Sequence, residues 1–413
     1  MQRSLFSKDF TLMVIGQVIS LFGNAALRFA LPLYLLNRTG SSALYGTVTA
    51  CAFLPSILLS PVGGMVADRV NKRNIMVALD FFTSAVVIAF SLLMDQLNVI
   101  VLTAAAMMLL YGIAGAYQPA VQASIPALVD REQFMEANAV INTISSFAAL
   151  IGPVFGGILY GAYGLKPVVQ ICAACFFASA VMELFIRIPF EAQASAGSMW
   201  SSAKKDFAQS FHFIQKDRPV IGQVLLGICG INLFLSAMLI IGVPYLITEV
   251  WELGSMQAKN QLCGFAEGAL AAGGLVGGIC TGVLAQRLRI QSSGNLIMIS
   301  TACIVVMGAA FAVSPSGQFN YLVITVCSFL IMAVSTMFSV QMISFIQQET
   351  PPHLIGKVIA VIFTISMCAQ PLGSALYGIL FELCSGFEFA VVLFSGFASL
   401  AVAIGIKNVL KHC

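Results

Sequence analysis

The stretch Gly64-Met-Val-Ala-Asp-Arg-Val-Asn-Lys-Arg73 places four charged side chains between two long apolar runs, at 43–67 and 75–94. An apolar run of about 20 residues is long enough to cross a membrane as a helix. A related stretch, Gly282-Val-Leu-Ala-Gln-Arg-Leu288, ends another apolar run about 220 residues later. The pattern therefore predicts a short charged connection between two spanning helices, with a related connection in the second half of the chain.

Composition extends this interpretation to the whole chain. Of the 413 residues, 59% are hydrophobic and 9% are charged, whereas a soluble domain has about 25% charged residues. So little charge cannot cover a water-facing surface. The sequence predicts an all-α membrane protein with twelve transmembrane helices, near 11–36, 43–67, 75–94, 98–119, 138–162, 167–188, 220–247, 264–286, 295–313, 320–344, 357–381 and 388–407.

The distribution of positive charge predicts the orientation of the chain. With a cytoplasmic N-terminus, 16 of the 20 Lys and Arg residues fall in cytoplasmic segments and 3 fall in outer loops. Cytoplasmic loops of membrane proteins carry such an excess of Lys and Arg. Both termini are therefore expected in the cytoplasm.

The two halves also share an internal repeat. Asn138-Ala-Val-Ile-Asn-Thr-Ile-Ser145 is similar to Ile359-Ala-Val-Ile-Phe-Thr-Ile-Ser366, and Pro153 has its counterpart in Pro371. Repeats of six helices each run parallel, related by an axis along the membrane normal, and enclose a cleft. We expect two pseudo-symmetric six-helix bundles, at 1–188 and 220–413, joined by a cytoplasmic linker at 189–219 that contains an amphipathic helix.

The charged stretch also carries a resemblance to a known family. It is similar to the signature of the major facilitator superfamily, with Val66, Asn71 and Lys72 as departures. The chain further resembles the drug-efflux-like branch that includes macrolide and siderophore exporters. The segments that carry this second resemblance are Gly16-Gln17-x-x-Ser20-x-x-Gly23, Ile125-Pro-Ala-Leu-Val129 and Phe211-x-Phe-Ile214 before Arg218-Pro219.

The resemblance implies roles for two sets of residues. One set would latch the two halves shut on the cytoplasmic side: Gly64, Asp68, Arg69 and Arg73. The same charges could instead act as a topology signal alone. A second set would pack helices closely and is associated with exporters in the family: Gly152, Pro153, Gly156, Gly157 and Pro371.

The solute pathway is lined in this family by helices 1, 4, 7 and 10. The polar side chains that these helices offer are Gln17, Asn24, Arg28, Tyr111, Tyr117, Gln118, Asn232 and Gln341. Gln17, Asn24 and Arg28 follow at spacings of seven and four, which places them on one helix face. A cleft with Phe, Met and few charges suits a bulky amphipathic solute.

Ionisable groups inside a membrane helix are candidates for function, because each costs about 2.5–3.5 kcal/mol to insert. Asp80 and Glu267 are the candidates for ion coupling, although Asp80 could equally be a structural acid at a helix end. Asn24 stands where many relatives have an Asp, which argues against simple proton antiport. Arg28 either faces Glu267 or extends to the membrane surface. Glu183 and Arg187, four residues apart, predict an interfacial ion pair.

These observations predict a secondary active transporter that exports a bulky drug-like or siderophore-like molecule by alternating access. A lipid or solute uptake permease, or a non-transporting receptor of the same fold, remain as alternatives. An enzyme, a metal or a cofactor is not expected, since the three histidines fall in cytoplasmic segments: His212, His353 and His412. The net charge of +3 is too small and scattered for nucleic acid. The expected partners are the solute, protons or another ion, and the lipids of a bacterial cytoplasmic membrane around a monomer.

Overall fold

The structure is a computed structural model that describes residues 5–188, 207–284, 290, 293–351 and 354–411, without the side chains of Asp68 and Arg131. Twelve helices in this part of the chain are long and apolar enough to cross a membrane. They are α1 Lys8–Thr39, α2 Ser42–Arg69, α3 Lys72–Leu93, α4 Val99–Leu128, α5 Phe134–Tyr163, α6 Leu165–Glu183, α7 Pro219–Val250, α8 Met256–Leu284, α9 Ser293–Val313, α10 Gly317–Glu349, α11 Ile355–Leu383 and α12 Glu388–Leu410.

The predicted fold class, an all-α protein with twelve spanning helices, is confirmed. Two boundaries differ from the sequence prediction in ways that matter for function. Helix α6 ends at Glu183 rather than at 188, and α8 begins at Met256 rather than near 264. The first difference changes the environment of Glu183, as described below.

Short polar residues begin several of the helices. The Ser7 hydroxyl accepts a hydrogen bond from the Phe10 N–H at 3.3 Å, and Asn71 and Asn98 accept in the same way at the starts of α3 and α4. Such caps satisfy N–H groups that have no partner within the helix. Helix α1 ends at Thr39 and is capped by Gly40, whose φ of 64° lies in the left-handed region that favours glycine.

Helix α7 is not regular along its length. It widens to π-helical turns at Asn232–Ser236 and at Leu246–Val250. A π turn inserts one extra residue per turn and often lies at a functional site. The first of these turns contributes Asn232 and Ser236 to a cavity.

The described chain forms two compact units. Unit 1 comprises Met1–Gly40, Val48–Ala194 and Gly254–Gly268. The core of unit 1 near the start of α1 is apolar and includes the fully buried side chains of Phe10, Met13 and Met76.

Unit 2 comprises Ser41–Thr47, Ser195–Leu253 and Ala269–Cys413. Inside it, the Ser42 hydroxyl donates to the Gly378 carbonyl at 2.9 Å, and the Tyr45 hydroxyl donates to the Ile240 carbonyl at 3.1 Å. The Glu382 carboxylate accepts hydrogen bonds at the start of α2, from the Ser41 hydroxyl at 3.0 Å and the Ala43 N–H at 3.2 Å. A carboxylate at a helix N-terminus is stabilised by the helix dipole.

One glycine pair in each unit allows two helix backbones to touch. In unit 1, a Cβ on Gly157 of α5 would lie 3.0 Å from the Cα of Gly264 in α8. In unit 2, a Cβ on Gly46 of α2 would lie 2.8 Å from the Cα of Gly378 in α11. Gly264 follows Gly46, and Gly378 follows Gly157, at the repeat offset of about 220 residues. The two contacts are thus pseudo-symmetric counterparts.

The predicted amphipathic linker helix falls partly outside the described residues, which do not include Trp200, Lys204 or Lys205. The helical turn at 207–212 is described, and there the rings of Phe207 and Phe211 stack with centroids 6.1 Å apart. Ile214 follows in a buried position. The domain boundaries at 188 and 220 stay a prediction.

Candidate functional site

A cavity of about 250 Å³ opens within unit 2, lined by α7, α9, α10 and α11. Five of its lining side chains are polar and none is charged. The polar ones are Asn232, Ser236, Ser335, Ser339 and Ser366, and the apolar ones are Ile228, Ile231, Ile297, Phe338, Met342, Ile343, Ile346, Ile359, Ile362, Phe363 and Met367. Ligand pockets are commonly apolar with a few polar groups that fix the orientation of the ligand.

The polar groups of this cavity are held by the π turn of α7. The Asn232 side-chain amide donates to the Ser366 carbonyl at 3.0 Å, and the Ser236 hydroxyl donates to Asn232 Oδ1 at 3.4 Å. The Ser366 hydroxyl is buried and lies beside the Cys229 thiol. Asn232, one of the predicted pathway residues, thus lines this cavity. Ser366 lines it too, but the sequence did not identify Ser366 as a pathway residue.

Arg28, Asn24 and Tyr111 come together in unit 1. They line one narrow recess with Met107 and Phe176, and the Arg28 guanidinium lies 4.0 Å from the centroid of the Tyr111 ring. A guanidinium over an aromatic face is attracted by the negative charge density of the ring. The structure thus gives Arg28 an aromatic partner that the sequence analysis did not propose.

Glu267 is partly exposed and, like Arg28, lies within electrostatic range of Tyr111. The described side chains of Arg28 and Glu267 do not form an ion pair. The other predicted polar residues lie elsewhere. Gln341 is buried within unit 2 and accepts a hydrogen bond from the Ser293 hydroxyl. Gln118 is partly exposed.

Gln17 and Tyr117 belong to a buried polar cluster with two carboxyl groups. The Gln17 side-chain amide donates to the Tyr117 hydroxyl, which donates to Glu183 Oε1 at 2.7 Å. One helical turn further along α1, the Ser20 hydroxyl donates to Asp80 Oδ1 at 3.2 Å. The cluster therefore joins α1, α3, α4 and α6 in the interior of unit 1.

The predicted ion pair of Glu183 and Arg187 is wrong. Glu183 is fully buried and Arg187 is exposed, and the N–H of Arg187 donates to Asp9 Oδ1 at 2.9 Å. The spacing of four assumed a continuous helix, but α6 ends at Glu183. Arg187 therefore leaves the helix face that carries the carboxylate.

Two residues of the charged stretch bind the end of α6. The Asn71 side-chain amide donates to the Ile188 carbonyl at 3.3 Å, and the Arg73 guanidinium donates to the Leu184 carbonyl. These bonds hold the first turn of α3 against the segment after α6. The side chain of Asp68 lies outside the described part of the structure, so the latch stays a prediction for Gly64, Asp68, Arg69 and Arg73.

The predicted packing residues of α5 lie in close helix contacts. A Cβ on Gly152 would overlap Ala25 of α1, and a Cβ on Gly156 would lie 3.3 Å from the Ala26 carbonyl oxygen. The backbone oxygen of Pro153 approaches Gly264. Pro371 is buried in α11. Gly63, which the sequence analysis did not single out, packs more tightly than Gly64 because a Cβ there would lie 2.6 Å from the backbone of Ala116.

Twelve apolar helices with buried polar clusters define a polytopic integral membrane protein. Residues 13–374 match the Major Facilitator Superfamily, and the chain belongs to that family of transporters. It is 24% identical over 373 residues to "Macrolide efflux protein A" of Streptococcus pyogenes, covering 87% of this chain and 86% of that protein. It is 24% identical over 379 residues to "Multidrug efflux pump Tap" of Mycobacterium tuberculosis, covering 89% and 85%.

Solved structures confirm the fold. The crystal structure of nucleoside transporter NupG superimposes with a TM-score of 0.75 over 98% of this chain and 100% of that one, at 14% identity. At this level of identity the likeness shows the fold alone. The family and the fold together make the protein a membrane transporter of a small molecule rather than an enzyme.

Proposed function

We propose that the chain is a secondary active transporter that exports a bulky, amphipathic, drug-like molecule by alternating access. The observation that carries the proposal is the cavity of about 250 Å³ in unit 2, which would hold one part of such a molecule between aromatic and aliphatic walls with no charged lining residue. Such walls hold an apolar scaffold, and transfer of its apolar surface from water contributes about 25 cal/mol per Å².

The polar groups of the cavity suit a solute with a few hydroxyl or carbonyl groups. Ser366 offers a hydroxyl, while Asn232 is fixed by its bond to the Ser366 carbonyl. A sugar or a phosphate would need many more polar or charged partners than five neutral ones. Export, rather than uptake, is supported by the names of the relatives, a macrolide efflux protein and a multidrug efflux pump. The chain acts as a monomer with cytoplasmic termini in this proposal.

Accumulation of radiolabelled erythromycin tests the function in bacterial cells that lack their own efflux pumps. Cells with the wild-type protein should accumulate several-fold less label than cells with an empty vector. Phe338→Ala, which removes a cavity wall, should abolish much of that difference. The matched control is Phe319→Ala, because Phe319 lies on the same helix and is 49% exposed, whereas Phe338 is 4% exposed.

Three outcomes would contradict the proposal. Higher accumulation than in the vector control would indicate an uptake permease. Specific binding of the label by purified protein without any counterflow in proteoliposomes would indicate a receptor. Equal loss in Phe338→Ala and Phe319→Ala would show that the cavity is not the solute site.

A further inference from the structure

Two carboxyl groups are buried inside unit 1. Glu183 has 0% and Asp80 has 3% of its surface exposed. Each uses one oxygen, Glu183 Oε1 with the Tyr117 hydroxyl at 2.7 Å and Asp80 Oδ1 with the Ser20 hydroxyl at 3.2 Å. The Ser179 hydroxyl of α6 also lies beside Asp80, but it donates to the Gly16 carbonyl at 3.0 Å. The second oxygen of each, together with Gln17 Oε1, is buried without a hydrogen-bond partner among the described residues. The cluster thus contains three unfilled acceptor oxygens.

No positive charge of the described residues neutralises these carboxyl groups. The nearest cation along α3 is Arg73, and its guanidinium is bonded to the Leu184 carbonyl. Arg187, beyond the end of α6, is exposed. Helices α1 and α4 contribute only neutral groups to the hydrogen bonds of the cluster: Gln17, Ser20 and Tyr117. Neither Asp80 nor Glu183 forms an ion pair with a described side chain.

Two ionised carboxylates in this buried position would destabilise the folded protein. Moving one unpaired carboxylate out of water costs several kcal/mol even after the protein relaxes. Tyr117 of this cluster also belongs to the apolar core that contains Phe10, Met13 and Met76. A proton removes the charge and adds an O–H donor to a cluster that has three unfilled acceptors. It needs no cavity of its own, whereas a metal ion needs several oxygen ligands around it.

We propose that Asp80 and Glu183 form the proton-binding site that couples this transporter to a proton gradient. Each carboxylate takes up one proton from water and becomes a neutral carboxylic acid, and it returns the proton when the site is hydrated at another stage of the cycle. Tyr117, Gln17 and Ser20 are positioning residues. Helix α1 has the amide Asn24 where many relatives have an acid, and an amide does not titrate. Asp80 and Glu183 would therefore supply the titratable groups. The coupling part of the proposal rests on the proposed export function.

Infrared spectroscopy of the purified protein tests proton binding without any solute. The C=O stretch of protonated carboxyl groups is followed as the pH is raised from about 5 to about 9, a range in which ordinary exposed carboxyl groups are ionised. The wild-type protein should lose a band across this range. In Asp80→Asn and in Glu183→Gln, the band should be weaker by the contribution of the one carboxyl group that is removed. Comparison of Glu267→Gln with the wild type identifies any part of the band that comes from Glu267 in α8.

Two further variants make the result decisive. Asp95→Asn changes an exposed carboxylate paired with Lys166 and should leave the band unchanged. Tyr117→Phe removes the hydrogen bond to Glu183 but keeps the carboxyl group, so it should shift the frequency of the band. This variant carries the test if Glu183→Gln does not give monodisperse protein. A band that is the same in wild type, Asp80→Asn and Tyr117→Phe overturns the proposal.

Coupling is tested separately in proteoliposomes that contain erythromycin. Wild-type transport should accelerate several-fold under an imposed pH gradient, whereas Asp80→Asn and Glu183→Gln should retain counterflow but lose this acceleration. Variants that still respond to the gradient overturn the coupling role. Absence of counterflow in the wild-type protein would contradict the export function instead, and the infrared result would still decide whether the pair binds protons.

Discussion

The Tyr117 hydroxyl lies 2.7 Å from Glu183 Oε1 and donates a hydrogen bond to it, joining α4 to α6 in the interior of unit 1. The same hydroxyl accepts a hydrogen bond from Gln17 of α1. One phenol thus connects three helices through two buried polar partners, and neither partner has access to water as a replacement.

Removal of this hydroxyl should destabilise unit 1. Tyr117→Phe leaves one donor of Gln17 and one acceptor of Glu183 unpaired, and an unsatisfied buried group costs about 1–3 kcal/mol. We expect a lower midpoint of thermal unfolding in detergent. Tyr163→Phe is the matched control because Tyr163 is 71% exposed, and its midpoint should equal that of the wild type. Equal midpoints for both variants would show that the bond contributes nothing.

The glycine contact of α5 and α8 should not tolerate even one methyl group. A Cβ on Gly157 would lie 2.9 Å from the Asn260 carbonyl oxygen and 3.0 Å from Gly264 Cα, and both are backbone atoms that cannot rotate away. Overpacking of this kind costs about 1–3 kcal/mol, so Gly157→Ala should lower the unfolding temperature. A Cβ on Gly278 of α8 would have no atom within 4 Å, so Gly278→Ala should leave the unfolding temperature unchanged. A stable Gly157→Ala protein would contradict the close contact.

The contribution of Arg28 to transport should depend on its contact with Tyr111 rather than on Glu267. Because the guanidinium lies over the Tyr111 ring, Tyr111→Phe should retain transport and Tyr111→Leu should reduce it. A cation–π contact at an exposed site is worth about 0.5–1 kcal/mol, which corresponds to about a two- to five-fold effect. The double reversal Arg28→Glu with Glu267→Arg should be no more active than either single reversal. Recovery of transport in the double variant would contradict this prediction and support the pairing of Arg28 with Glu267.

The proposed orientation predicts which loops face the cell exterior. Asp95 lies between α3 and α4, and Glu136 lies in the first turn of α5 at the opposite end of unit 1; both side chains are exposed. In a variant without native cysteines, Asp95→Cys should react with a membrane-impermeant maleimide on intact cells. Glu136→Cys should react only after the membrane is permeabilised. The reverse pattern would place the termini outside.

The fold could be predicted from the sequence because the membrane imposes a simple rule. Every backbone polar group in the bilayer must be bonded within the chain, so long apolar runs become helices. The repeat of Gly64-Met-Val-Ala-Asp-Arg-Val70 at Gly282 then indicated the division into halves. The ends of helices were harder to predict, since α6 stops at Glu183 where the carbonyls of Leu184 and Ile188 bond to Arg73 and Asn71.

The site was less accessible to sequence reasoning. Asn24, Arg28 and Tyr111 were all identified as polar groups on helices α1 and α4, and the structure brings them together. Glu183 was misassigned because a spacing of four favours an ion pair in any continuous helix. No local pattern in the sequence signals that Tyr117, on a different helix, is its partner.

The sequence by itself determined the family, the number of spanning helices and the repeat, because these depend on hydrophobicity and on local motifs read along one chain. The tertiary structure alone decided which polar groups share an interior. Helix rotation and helix ends set those contacts, bringing Glu183 to Tyr117 and Asn232 to the backbone of Ser366. A shift of one residue turns a helix by about 100°, and such a shift leaves no trace in the composition of an apolar segment.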